Sequence, residues 1–110
     1  MATLTVQDVP LSGLAAASFT AASAGGDEVP TGNGVVLLVR NGDASTHTLT
    51  ITTPGDVRGI ELADPTVDVE ADDIAVVPMD AIYRDPDTMR ASLSMDDETS
   101  VEYAAVRIPR

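Results

Sequence analysis

Val35-Val36-Leu37-Leu38-Val39-Arg40-Asn41-Gly42, followed shortly by Thr46-His47-Thr48-Leu49-Thr50-Ile51-Thr52-Thr53, holds the two patterns on which the fold turns. The first begins with an unbroken aliphatic run, as expected of a central strand buried on both faces. The Asn41-Gly42 pair after it is a strong hairpin signal. In the second, His47, Leu49 and Ile51 fall on one face while Thr46, Thr48, Thr50 and Thr52 fall on the other. That is the alternation of a strand with one solvated face, and Pro54-Gly55 ends it.

Working outward, the same short-range alternation recurs. Thr66–Glu70 places Val67 and Val69 inward, Ile74–Val77 is a further short strand, and Arg90–Met95 sets Ala91, Leu93 and Met95 on one side. Ser100–Ile108 carries Val101, Tyr103 and Ala105 on one face and Ala104, Val106 and Ile108 on the other, which requires a bulge or a strand covered on both sides. Leu14–Ala22 reads as a strand because Gly13 and Gly25-Gly26 bracket a segment too short for a stable helix. Gly25–Gly34 is a loop by its glycines, Pro30 and Asn33. Residues 78–84 form at most one helical turn, setting Met79, Ile82 and Tyr83 against an open end. Residues 1–9 are an N-terminal arm or edge strand. The fold class is therefore all-β: one domain over residues 1–110, a small antiparallel sandwich of about seven short strands, jelly-roll-like or immunoglobulin-like, with a barrel as the alternative.

Composition limits what such a domain does. The chain has 110 residues, enough for one hydrophobic core, and its only aromatics are Phe19, Tyr83 and Tyr103, so the core is thin and aliphatic. Without cysteine there is no disulfide, thiolate metal site or cysteine nucleophile. Eighteen acidic residues face six arginines and no lysine, for a net charge of −12. Phosphate backbones are repelled by such a surface, so no nucleic-acid partner is expected. Scarce arginine beside absent lysine favours a halophilic source over a merely GC-rich genome, because screening by salt lets a carboxylated surface persist. No apolar stretch approaches the roughly 20 residues that span a bilayer, and residues 1–9 lack a signal-peptide pattern, so no membrane association is expected.

The inventory for catalysis is poor, and the chain reads as a non-enzyme without cofactor. His47 lies mid-strand beside Leu49 and Ile51, the setting of a partly buried, hydrogen-bonded core histidine. No nucleophile elbow surrounds any serine, and without lysine there is no phosphate-binding P-loop or Schiff base. Asp85-Pro86-Asp87 opens like a calcium loop, but Met89 stands fifth, Arg90 replaces the glycine at the sixth position, and Asp96 is twelfth. Asp72-Asp73 and Asp96-Asp97-Glu98 remain candidates for structural cation binding, although consecutive carboxylates at strand ends usually form solvated tips. What is left is surface and edge. Ala2, Leu4 and Val6 on the first segment, with Val106 and Ile108 on the last, are the candidate partner-binding residues, by strand addition to a neighbour.

Ala24-Gly25-Gly26-Asp27-Glu28-Val29-Pro30, the run Val36–Asn41 ending in Arg40-Asn41-Gly42, Leu49-Thr50-Ile51-Thr52-Thr53-Pro54-Gly55, the spacing to Val67-Asp68-Val69, and the final Val101–Ile108 strand carry a likeness over most of the chain. Together they resemble small β-sandwich virion proteins that decorate or cement the heads of tailed bacterial and archaeal viruses. The resemblance implies a structural protein on the capsid surface, made in the host cytoplasm, bound to the major capsid protein as an oligomer, a trimer by preference. Neck and tail proteins share such sandwiches. The residues alone equally allow a free cell-surface module binding carbohydrate or calcium.

Overall fold

The computed structural model describes residues 3–15, 17–54, 56–61 and 63–108; of Asp56, Val57 and Glu61 it describes the backbone alone. The strands are β1 (Val6–Asp8), β2 (Thr20–Ala21), β3 (Asp27–Pro30), β4 (Val35–Asn41), β5 (His47–Ile51), β6 (Asp56–Val57), β7 (Ile60–Glu61), β8 (Thr66–Val69), β9 (Ile74–Pro78), β10 (Arg90–Met95) and β11 (Val101–Arg107). One 3₁₀ turn, Ala81–Tyr83, lies where the helical turn was expected. One sheet runs β1-β11-β4-β9, with β2 also paired to β11; the other runs β3-β10-β5-β8. β6 and β7 form a separate small hairpin.

The pairing order identifies the sandwich. β2 pairs with β11, β3 with β10, β4 with β9 and β5 with β8, all antiparallel, so first partners last in nested succession. The nested ladder is rolled up by the further pairs β11–β4 and β10–β5. Such a roll, with alternate pairs assigned to opposite sheets, is a jelly roll. Of the topologies left open by the sequence, the immunoglobulin-like sandwich and the barrel are therefore excluded. Eight strands form the roll where about seven were expected, and the extra strand β1 runs parallel to β11.

Three local expectations change, each because tertiary pairing overrides local propensity. The loop assigned to Gly25–Gly34 contains β3, whose Asp27–Pro30 pair with Leu93–Arg90. Gly26 permits this approach: its φ is +92°, and a Cβ there would sit 2.8 Å from the Leu93 carbonyl oxygen. Of the strand expected over Leu14–Ala22, Thr20–Ala21 alone among the described residues is a paired strand. Asn41-Gly42 makes no hairpin, because β4 and β5 belong to opposite sheets. Instead Asn41 is buried at the crossing. Its Nδ2 donates to Ser45 O at 2.7 Å and Val69 O at 2.9 Å, and its Oδ1 accepts from Asp43 N at 2.9 Å.

Between the sheets, Val35, Leu37 and Val39 of β4 and Val101, Tyr103 and Ala105 of β11 face Val29, Leu49, Ile51, Val69, Ala91 and Leu93. Each fully buried Val, Leu or Ile contributes about 1.5–3 kcal/mol by leaving water. The register of β11 on β4 is unbroken from Val101 to Arg107, yet Ala104 and Val106, which point away from this core, are also buried. The change of apolar phase thus reflects a strand covered on both sides, with no bulge. Phe19 lies on this outer face, its ring 4.1 Å from the Arg40 guanidinium. Gln7 draws the same segment in by exchanging hydrogen bonds with Ser18, at 2.9 and 2.8 Å.

Candidate interaction face

The two outer surfaces of the sandwich differ in kind. On β3-β10-β5-β8 the residues pointing outward are Glu28, Pro30, Arg90, Ser92, Ser94, Thr48, Thr50, Thr66 and Asp68, all polar except Pro30. On β11-β4-β9, the cross-strand rows are Ala104–Leu38–Val76 and Val106–Val36–Pro78, all apolar, with Glu102–Arg40–Ile74 beside them. Ala104 and Val106 at the β11 end of these rows are covered by the chain itself, and exposure rises across β4 to Val76 at 63% and Ile74 at 55% on β9. One such residue means nothing on a protein surface, but a contiguous set on one face of a strongly charged molecule marks a contact surface. The face continues into a groove of about 460 Å³ whose walls include Val36, Pro78, Ala81 and Ile108, floored by the turn at Gly32–Gly34. Arg40 and Glu102 form an ion pair of 2.7 Å, half-exposed and worth about 0–1 kcal/mol, so it orients more than it stabilises.

The five residues expected at a partner interface are dispersed. Leu4 is buried in the chain's own core, where its N–H donates to Glu28 O at 2.8 Å, and Val106 is buried beneath the outer cover. Val6 is half-buried on β1 and packs against the core. Ile108 is exposed at the groove. Ala2 lies outside the described residues. The first segment meets both sheets of its own chain, residues 3–4 along β3 and β1 along β11. Sequence reading missed Ile74, Val76 and Pro78. The available signal was that Ile74-Ala75-Val76-Val77-Pro78 is apolar in both phases, which on an edge strand leaves one phase uncovered.

The carboxylate runs occupy turns at one end of the roll. Asp72 and Asp73 lie between β8 and β9, and Asp96, Asp97 and Glu98 between β10 and β11, near Asp43 of the β4–β5 crossing. No group of three histidine or acidic side chains among the described residues is arranged to hold a metal. Two of these acids brace their own turn: Asp97 accepts from Thr99 N at 3.0 Å, which lowers its pKa, and Asp96 accepts from Asp97 N at 2.7 Å.

His47 is buried at this end between two carboxylates, with Nε2 2.9 Å from Asp43 Oδ2 and Nδ1 3.3 Å from Asp96 Oδ1. Both nitrogens can donate only in the imidazolium form. The bond to Asp43 raises the histidine pKa above its ordinary 6.5 against the opposing effect of burial, with Asp96 adding to the rise. The same bond lowers the pKa of Asp43. With both nitrogens held, the ring is an internal ion-pair centre. A raised folded-state pKa stabilises fully below about 6.5, and that stability is lost as pH rises through the folded value. The lowered Asp43 value adds stability above about 3.8 that is lost on acidification. The melting temperature should therefore be highest between these limits and fall above about pH 6.5. Replacing His47 by glutamine should reduce the difference in melting temperature between about pH 6 and pH 8.5, and an unchanged difference would refute the assignment.

In class, the described residues form an acidic jelly roll with one apolar outer face. No protein-family model matches the chain, and no curated protein or solved structure is close enough to count as a match.

Proposed function

We propose that this protein is a non-catalytic structural component of a tailed-virus particle, a decoration or cement protein seated on the assembled major capsid protein. The exposed apolar face of β4 and β9, set against a largely polar opposite face and a net charge of −12, carries the reading. A protein that seats one face on a lattice and turns the other to solvent needs that asymmetry. The jelly roll is compatible with the reading, since capsid domains use it, but lectins and cupins do as well, so the fold alone does not select it. Binding only the assembled shell shifts the equilibrium toward assembly by mass action. The carboxylated surface suits a halophilic setting, where salt screens its self-repulsion.

Purified particles should contain this chain in fixed ratio to capsid protein, and removing it should lower the temperature at which heads release their contents. Val76→Asp should weaken particle binding at least tenfold, about 1.4 kcal/mol, while leaving the melting temperature within a few degrees, because the side chain is mostly exposed. Absence of the chain from particles would end the proposal.

A further inference from the structure

Strand β9 ends its sheet, and among the described residues no strand lies on its other side. Asn41 N donates to Asp73 O at 3.0 Å and Met79 N to Val35 O at 2.9 Å, which fixes the phase of pairing with β4. In an antiparallel ladder the alternate residues then face away. Ile74, Val76 and Pro78 thus turn their carbonyls outward, and Ile74 and Val76 their N–H groups as well. Pro78 has no N–H to offer. The side chains of the same three residues are exposed.

Behind this edge a cleft of about 370 Å³ opens between β8 and β9, lined by Asp68, Val69, Glu70, Asp73, Ile74 and Ala75. Three of its six residues are acids. Arg40, opposite Ile74 on β4, is held by Glu102 at 2.7 Å and by Phe19. An edge with these properties rejects its own kind. Pairing two copies of β9 antiparallel about Val76 would set Asp72 of one against Asp80 of the other, on chains that each carry −12.

From the unpaired edge and the acidic cleft behind it we infer that β9 receives an extended segment of a partner protein in which apolar and basic residues alternate. Added as a strand, such a segment places one set of side chains beside Val76 and Pro78 on the apolar face. The period of two turns the other set toward Glu70 and Asp73. Main-chain bonds to Ile74 and Val76 supply the attachment, and the carboxylates select the charge. The inference rests on the reading that this side of the molecule meets the partner, and it adds what part of the partner is bound.

A labelled seven-residue peptide of alternating valine and lysine tests it by fluorescence anisotropy, with a valine–glutamate peptide as the counterpart. The basic peptide should bind at least tenfold more tightly at about 0.05 M salt, and less tightly at about 0.5 M. Binding should slow hydrogen exchange at the Ile74 and Val76 amides. Val76→Pro removes an outward donor without altering any charge, so it should weaken the basic peptide at least tenfold where mere charge attraction would not change. Glu70→Lys with Asp73→Lys, both at exposed positions, should reverse the preference between the peptides even if the proline variant folds poorly. Equal binding of both peptides, indifference to both variants, or a wild-type dimer abolished by Val76→Pro would each overturn the inference. Particle binding is scored separately. If wild-type protein ignores particles but shows this peptide selectivity, the capsid reading fails and the edge assignment stands; loss of the selectivity with particle binding intact gives the converse.

Discussion

Asn41→Ala should lower the unfolding free energy by about 3–4 kcal/mol, the largest loss expected from any polar substitution in this chain. The amide is fully buried and joins three pieces of backbone: the Ser45 carbonyl, the Val69 carbonyl and the Asp43 N–H. A net gain of about 1 kcal/mol per hydrogen bond accounts for most of the loss, and the buried groups left behind add their desolvation. The site also sits where the chain leaves one sheet for the other, and Gly42 N donates there to Ser100 O at 2.8 Å, so three turns depend on one crossing. Urea unfolding should show a lower midpoint with an unchanged slope, meaning that stability and not compactness has altered. Asn41→Asp should be nearly as harmful, because a carboxylate can accept from Asp43 but cannot donate to either carbonyl. A loss under about 1 kcal/mol for the alanine variant would mean that water replaces the amide and that the crossing is held elsewhere.

The strands legible in the sequence are those whose face pattern is set by burial on one side. His47–Ile51 and Arg90–Met95 alternate because one face packs and the other is wet, and both appear where the alternation places them. β3 escaped because what makes it a strand lies in β10: nothing in Asp-Glu-Val-Pro outweighs flanking glycines until Leu93–Arg90 pairs with it. Asn41-Gly42 misled for a related reason. The dipeptide favours a tight turn, but the side chain of Asn41 finds its partners across the sandwich, in Val69 and Ser45, and the chain crosses instead of doubling back. The burial of His47 was legible from its phase with Leu49 and Ile51; its carboxylates were not, since Asp96 is 49 residues away and Asp43 reaches the ring only through the path of the β4–β5 crossing. The candidate face was hidden most completely. Ile74–Pro78 is apolar in both phases, so which phase meets the core is set by the register of β9 on β4, and that is fixed by tertiary pairing.

Tyr103→Ala should cost about 3–5 kcal/mol, whereas Tyr103→Phe should cost about 1 kcal/mol or less. Tyr103 is the only aromatic ring among the buried core residues, 1% exposed on β11 between Val101 and Ala105 and opposite Val39. The β4 residues opposite it are fixed by pairing on both edges, which limits how far the core can collapse into the space that the ring leaves. The hydroxyl supplies a second, independent reading. Burial raises its pKa far above the usual tyrosine value, and the Asp27 carboxylate raises it further. A raised folded-state value means that the folded chain keeps a proton which the unfolded chain releases above about pH 10. Stability from this group is therefore complete below about pH 10 and is lost as pH climbs toward the folded value, so wild-type protein should lose urea resistance between about pH 9 and pH 11. Tyr103→Phe should lose less over the same interval, because the phenylalanine has no proton to give up. Equal alkaline losses in the two proteins would show that the hydroxyl reaches water. A small penalty for Tyr103→Ala would show that the core is held by its pairing more than by its packing.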